Sequence, residues 1–344
     1  MSRTDKLTEF LSENEGFLIT GKANIFYYSG FTSEDGMLYV SGNNRILITD
    51  SRYTVQAKEQ APEFEVITDN DFLKTVPETT IRFEEEYITY GALERLKGKC
   101  EGKTFAPSQK EISFARRVKS PEEIKKIAAA ELLGDEAFSH ILKFIRPGIT
   151  ETEVAVELES FMRKNGASGT SFETICASGV RGAMPHGTAS AKVIEKGDML
   201  TLDFGCVLDG YCSDMTRTIA IGMPDGRMTE IYNIVLEAQE TAIKGIKAGL
   251  KCADADKIAR DIIKKAGYGE NFGHSLGHSV GIEIHEAPNL SPRSEDILVT
   301  GNVVTVEPGI YVEGLGGVRI EDVVAVTDEG CVNLTKADKK LIII

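Results

Sequence analysis

The sequence predicts an α+β protein in two parts: a smaller amino-terminal α/β unit over residues 1–118 and a larger, internally duplicated α+β unit over residues 119–344. Three observations carry this prediction. At 344 residues the chain exceeds what one average core supports. A helix-start signature stands at Ser120, Pro121 and Glu123. Beyond it, a pattern of helix, strand and terminal carboxylate occurs twice.

In the amino-terminal part, residues 7–11 read as the opening of an amphipathic helix. Short apolar runs at 16–20, 37–40 and 45–49 read as strands, bounded by Gly21, Gly36 and the pair Asn43-Asn44. The basic run Arg116, Arg117 and Lys119 then leads into Ser120. Ser at an N-cap, Pro at the first helical position and Glu three after the cap start a new helix, because all three satisfy or tolerate the unpaired amides there. The domain boundary falls just before it.

In the second part, residues 144–166 align without gaps on residues 245–267. Each segment has a glycine (Gly148, Gly249), a helix-period pattern and a basic pair (Arg163-Lys164, Lys264-Lys265). Each then ends in a glycine stop (Gly166, Gly267) suited to a helix C-cap. Further on, residues 197–205 match residues 301–309, and both strings end in a carboxylate and a glycine: Asp203 and Gly205, Glu307 and Gly309. The economical reading is a duplicated helix–strand unit whose two acidic strand ends converge on one site.

A first hairpin follows from Asp209-Gly210, a strong two-residue turn signal. If it forms the turn, Asp203 faces Thr216 and Asp214 faces Gly205. The two aspartates then lie on one face as diagonal neighbours, about 7 Å or less apart at Cβ. Such acids can grip two metals spaced roughly 3.5–4 Å apart. A solvated hairpin is the plain alternative, but residues 199–202 and 215–221 are too apolar for an exposed ribbon. The same register puts Cys212, and not Cys206, on the acidic face, which argues against a disulfide between them.

Glu307 and Glu321 repeat the argument. Residues 303–307 and 317–326 read as apolar strands that pair around the loop 312–316. Arg319 shares a strand face with Glu321 and could neutralise it, but that ion pair would leave the other acids unexplained. Residues 272–288 hold His274, His278 and His285 in a glycine-rich stretch that reads as a loop entering a strand, with His278 in the loop and His285 on the strand. Four carboxylates and one imidazole suit hard divalent cations. His140, in a helical pattern far from these motifs, reads as an ordinary surface or core residue.

Composition limits the alternatives. Hydrophobic residues at 42% and charged residues at 27% suit a soluble globular protein. The formal charge of −14 offers no global field for nucleic acid or anionic lipid. Residues 1–10 carry acids and no apolar h-region, no apolar run is long enough to span a bilayer, and the six cysteines form no C-x-x-C pair. A cytoplasmic protein with neither nucleic-acid nor membrane partners is expected.

These residues resemble the aminopeptidase P and prolidase branch of the creatinase/methionine-aminopeptidase ("pita-bread") metallopeptidases, family M24, over essentially the whole chain, including a creatinase-type amino-terminal domain. The matching strings run from Ala177 to Gly187, Thr201 to Gly205, Gly210 to Thr218, Gly273 to Pro288, Thr305 to Gly309 and Gly317 to Asp322. The resemblance implies two divalent metal ions. Asp203, Asp214 and Glu321 would hold one, while Asp214, His278, Glu307 and Glu321 would hold the other. A hydroxide between them would attack the carbonyl of the bond preceding proline. His186 and His285 would contact substrate and the tetrahedral oxyanion. Arg319 joins the substrate-binding set. Glu307 or another of the carboxylates would accept the water's proton, and His274 would stand beside the ligand histidine. Oxygen-rich ligation favours Mn²⁺ or Co²⁺ over a thiolate-type zinc site, with Zn²⁺ still compatible. Short proline-containing peptides are the implied substrates and a homodimer the implied assembly.

Two positions depart from the family pattern. Ser279 stands where glycine is usual. Asn289 stands where prolidases often carry an arginine that clamps a dipeptide's free carboxylate, and an amide gives no charge-paired clamp. Longer peptides with proline second are therefore admitted beside dipeptides. A methionine aminopeptidase is disfavoured by the amino-terminal domain and the close spacing of Glu307 and Glu321. A creatinase-like hydrolase would not need the full ligand set, and a non-catalytic scaffold would have lost ligands. A dinuclear phosphoesterase lacks its phosphate cradle.

Overall fold

Ser120 Oγ accepts the Glu123 amide at 3.3 Å while Glu123 Oε2 takes the Ser120 amide at 2.9 Å, so the helix Pro121–Ile141 begins where its capping signature stands. This computed structural model describes residues 2–33 and 35–344; Met1, the expected first residue of the amino-terminal unit, and Glu34 lie outside the described residues. The chain divides into two units, one ending at Arg116 and one spanning Arg117–Ile344. Among the described residues no helix is long and apolar enough to cross a membrane.

The first unit is built on β1 (Glu15–Ile19), β2 (Gly36–Ser41), β3 (Arg45–Thr49), β4 (Glu65–Ile67), β5 (Thr80–Phe83) and β6 (Thr104–Pro107), which form one sheet in the order β4-β3-β2-β1-β5-β6. The three apolar runs of the sequence are the antiparallel strands β1 to β3, and the outer strands join in parallel. Leu18, Tyr39, Ile48, Ile81 and Phe83 are buried in its core. The first helix is Arg3–Thr8, earlier than the expected start at residue 7. Ser2 and Asp5 form a capping box that sets its beginning.

The second unit is the duplicated α+β structure. Its strands are β7 (Gly169–Thr170), β8 (Ile175–Ser178), β9 (Met199–Phe204), β10 (Cys206–Leu208), β11 (Tyr211–Cys212), β12 (Met215–Ala220), β13 (Gly277–Ser279), β14 (Glu286–Leu290), β15 (Val303–Val306), β16 (Gly309–Val312), β17 (Gly316–Arg319), β18 (Asp322–Val326) and β19 (Cys331–Asn333). The repeat is visible in the backbone. The helices Glu151–Lys164 and Cys252–Lys265 occupy equivalent positions. Glycines with positive φ flank both: Gly148 and Gly166 at 96° and 109°, Gly249 and Gly267 at 85° and 91°.

Each half packs two helices on one face of a sheet. In the first half the helices Pro121–Ile141 and Glu151–Lys164 bury Leu200, Leu202 and Phe204 of β9 with Met215 and Ile219 of β12. In the second, the helices Gly226–Gly245 and Cys252–Lys265 bury Val304 and Val306 of β15 with Val324 and Val326 of β18. Side chains alternate across a strand. With these apolar residues turned to the helices, Asp203, Thr305 and Glu307 fall on the opposite face, toward the other half.

Candidate metal centre

The hairpin that carries the two aspartates has the register its turn dictates. Asp209 and Gly210 take φ of 50° and 79°, the left-handed pair of a type I′ turn. Asp203 faces Thr216 in the β9–β12 pairing. Gly205 is required beside it, because a Cβ there would stand 1.9 Å from the Ser213 carbonyl oxygen. Asp214 follows, its amide held at 2.8 Å by Glu131 Oε1 from the helix Pro121–Ile141. Cys206 and Cys212 are both free and buried.

In the second half the expected strand over 317–326 breaks into β17 and β18, leaving Ile320 and Glu321 between them. β17 pairs with β16 and β18 with β15, so one long hairpin becomes two short ones. The break lets Glu321 cross to the first half. Its amide donates to the Thr216 carbonyl at 3.1 Å, and Thr216 Oγ1 donates to Glu321 Oε2 at 2.7 Å. Thr218 ties Arg319 in the same way, with Oγ1 2.9 Å from the Arg319 carbonyl. Thus β12, which Asp214 immediately precedes, also positions Glu321.

The two site histidines exchange the places expected for them. His278 lies on β13 and His285 in the bends before β14, because the β13–β14 register slips between His278 and Ser279. β13 can approach β15 closely because Gly277 has no side chain; a Cβ there would meet the Thr305 carbonyl oxygen at 2.1 Å. His278 Nδ1 lies 3.3 Å from the Ser279 carbonyl, which can only accept, so Nδ1 carries the proton. The Nε2 lone pair then faces Asp214 Oδ2 at 3.5 Å and Glu307 Oε1 at 3.3 Å.

The ion pair of Arg319 is not the one weighed as the alternative to a metal site. It runs to Asp203 Oδ2, at 2.5 Å, and not to Glu321. The remaining donors go to Thr216 Oγ1 at 3.1 Å, the Pro185 carbonyl at 3.2 Å and Tyr311 Oη at 2.7 Å. With every guanidinium nitrogen engaged and 3% exposure, Arg319 braces the site from behind. Tyr311 passes the chain on: His274 Nδ1 donates to the Ser275 carbonyl at 2.8 Å, so its Nε2 accepts from Tyr311 Oη at 2.9 Å.

Electrostatics say what this arrangement lacks. Burial, with the repulsion of Glu321, Asp203 and Glu307, holds Asp214 well above the usual carboxylate range. Glu321 is raised likewise by burial and by Glu307 and Asp203. Burial pushes Glu307 up to about 8, against the pull of Arg319. His278 goes the other way, down to about 4, through burial and the neighbouring His285. The imidazole is therefore neutral near pH 7 and pairs with neither acid as a cation; the protons sit with the carboxylates. Asp203 Oδ1 is buried with no hydrogen-bond partner. A lone pair facing two acids, an orphaned carboxylate oxygen and three acids raised by burial and by neighbouring carboxylates all fit a divalent cation. Asp214, His278 and Glu321 each offer an atom within 4.8 Å of the others.

All the site residues expected from the sequence line one cleft of ≈ 550 Å³, His186 and His285 on its exposed side and His274 within. Thr216, Tyr311 and Glu131 escaped the sequence reading. Glu131 had a signal, since it sits between Ile127 and Ala130 on one side and Leu133 on the other along the buried helix face. Thr216 had one too, as the residue facing Asp203. Tyr311 had none.

The sequence profile described as metallopeptidase family M24 matches residues 125–328, and that of the creatinase/prolidase N-terminal domain matches residues 3–118. The chain is 47% identical to a solved structure of an Xaa-Pro dipeptidase from Bacillus anthracis, with a TM-score of 0.96 and 99% of each chain covered. It is 41% identical to a solved X-Pro aminopeptidase from Thermotoga maritima, with a TM-score of 0.93 and 100% of each covered. An Xaa-Pro dipeptidase of Pyrococcus furiosus is 40% identical over 345 aligned positions, 99% of each chain.

Proposed function

The chain belongs to metallopeptidase family M24, and on that premise we propose that it hydrolyses the peptide bond preceding proline, at the amino terminus of peptides and in Xaa-Pro dipeptides. One observation carries the reading: the unprotonated Nε2 of His278 faces Asp214 and Glu307 at 3.5 and 3.3 Å, an arrangement that a bound cation makes favourable. Relatives at 40–47% identity that are named for Xaa-Pro substrates supply the substrate class.

In this reading Asp203, Asp214 and Glu321 hold one divalent ion, and Asp214, His278, Glu307 and Glu321 a second. The oxygen-rich donor set favours Mn²⁺ or Co²⁺. Bound ions would polarise the scissile carbonyl and lower the pKa of a water held there. The chain's own groups do the rest. His186 and His285 present imidazoles to the substrate from the exposed side of the cleft, as donors where negative charge develops. Glu307, whose carboxyl already holds a proton to about pH 8 without metal, is placed to take one from water and return it to the leaving amine. Arg319 keeps Asp203 aimed and, by this geometry, acts on the substrate through Asp203 and Tyr311.

Asn289 lines the same cleft. Among the described residues the sole arginine or lysine in the cleft wall is Arg319, and its nitrogens are taken. A dipeptide's free carboxylate would therefore meet an amide at position 289, without a charged clamp, which supports acceptance of longer peptides beside dipeptides. The test is the metal-stripped protein with Mn²⁺ or Co²⁺ restored, assayed on Xaa-Pro dipeptides and on tripeptides with proline second. Cleavage of both, with no preference for the dipeptide, is expected. Cleavage of the dipeptide alone would sink the Asn289 reading, and cleavage of neither the whole proposal.

A further inference from the structure

Lys119 precedes the helix Pro121–Ile141 and turns its side chain inward, where it is 2% exposed. Its ammonium lies 2.8 Å from Ser279 Oγ and 3.0 Å from Glu286 Oε2. Ser279 directly follows His278, and Glu286 directly follows His285. These two residues face each other across β13 and β14, at the slip in register. One cation thus joins the two backbones at the points where each leaves a histidine of the site. The histidine rings stand 4.4 Å apart, edge to face.

Both acceptors are themselves fixed. Glu286 Oε1 accepts the Ile282 and Glu283 amides at 3.1 and 3.2 Å and so shapes the turn that presents His285. A Cβ at Gly281 would lie 2.6 Å from Glu286 Oε2, so that turn closes directly onto the carboxylate. Ser279 Oγ donates to the Val303 carbonyl at 2.8 Å, tying β13 to β15. The same hydroxyl is an acceptor for a buried ammonium.

A buried Lys–Glu pair contributes little net stability over an apolar pair of like shape, because desolvation offsets the attraction. Its use lies in geometry. We propose that Lys119 is a positioning residue: by bridging Ser279 and Glu286 it sets the spacing of His278 and His285. In this way it governs both metal affinity and the placing of the substrate. The inference rests on the roles given to those two histidines above.

The decisive variant is Lys119→Met/Glu286→Gln, which removes both charges and keeps the carboxamide oxygen for the Ile282 and Glu283 amides. Melting temperature, Mn²⁺ affinity by calorimetry, kcat and KM on a tripeptide, and imidazole ¹⁵N shifts of the metal-free protein are compared with wild type. The expected result is a melting point near wild type, Mn²⁺ affinity and kcat each lowered about 10–100-fold, and displaced His278 and His285 resonances. KM should change little. Wild-type values for affinity, kcat and imidazole shifts would overturn the proposal. Should this variant fail to fold, Ser279→Ala carries the same readouts, with a few-fold loss expected and unchanged values overturning it. If the wild type cleaves no Xaa-Pro peptide, the functional reading fails by itself, while affinity and imidazole shifts still decide the role of Lys119.

Discussion

Arg319 reaches from the second half of the repeat to Asp203 at the strand end of the first, one guanidinium nitrogen 2.5 Å from Oδ2 while Oδ1 has no hydrogen-bond partner. The contact divides the carboxylate into a braced oxygen and an oxygen left for a ligand. It also supplies a positive charge to a site otherwise made of acids and imidazoles. Burial works against the charge on Arg319, but Tyr311, Asp203 and Glu307 outweigh it and hold the guanidinium firmly protonated.

Removing that charge should therefore matter most when no metal is present. Arg319→Met leaves Asp203 buried and uncompensated, a loss of about 3–5 kcal/mol for broken buried pairs. Bound metal would restore part of the compensation. The melting temperature of the variant, followed in chelator and in Mn²⁺, should show a larger metal-dependent rise than wild type. Equal rises in the two proteins would mean that Arg319 does not share Asp203 with a cation.

Asp214 lies deepest in electrostatic repulsion, raised by burial and by Glu321, Asp203, Glu307 and Glu131 in turn. Asp214→Asn removes one of those charges, so the metal-free fold should be at least as stable as wild type near pH 8. Turnover should fall by at least ~100-fold, with metal affinity weakened in parallel. Thermal melts, calorimetry and a peptide assay on one preparation separate these effects. Near-normal turnover would end the case for Asp214 as a shared ligand.

The raised carboxylates make metal uptake a proton exchange. Glu307 holds its proton up to about pH 8 in the metal-free protein, and Asp214 and Glu321 are raised as well. A cation must displace those protons, so apparent affinity should climb between about pH 5 and 8. The slope is about tenfold per pH unit for each proton released. His278, lowered to about 4, adds nothing in that window. Folding has the opposite sign: a carboxyl raised in the native state gives stability that is full below its unfolded pKa and is lost as pH rises through about 8. The metal-free protein should weaken over that range and the metal-loaded one should not. Calorimetry in two buffers of different ionisation enthalpy counts the protons, and a count of zero at pH 7 contradicts the shifts.

Where the sequence could be read, a local rule fixed geometry on its own. The Asp209-Gly210 turn sets the partner of Asp203, and Ser120, Pro121 and Glu123 set a helix start. The glycine-flanked helices expose the duplication. What escaped depends on distant backbone. His278 is placed on a strand by a bulge opposite β14, which no period-2 pattern signals. Arg319 reaches Asp203 and not Glu321 where the strand breaks at Ile320 and Glu321, and across that break Glu321 bonds Thr216 in the other half. The acids were legible as residues, but the order in which they are braced was not.

Asn289 gives the sharpest test of substrate range. It faces His278 in the β13–β14 pairing and is exposed in the cleft, so a longer side chain there can extend without displacing core atoms. Asn289→Arg would add a guanidinium able to take a free carboxylate in two parallel bonds. A charged hydrogen bond of about 1.5–3 kcal/mol corresponds to roughly a tenfold or greater fall in KM for an Xaa-Pro dipeptide. A tripeptide with an amidated carboxyl terminus has no such group to bind, and its kcat/KM should stay level or decline. The dipeptide-to-tripeptide ratio of kcat/KM is therefore the measurement. If it does not move, the carboxylate of a bound dipeptide lies away from position 289, and chain-length preference is set elsewhere in the cleft.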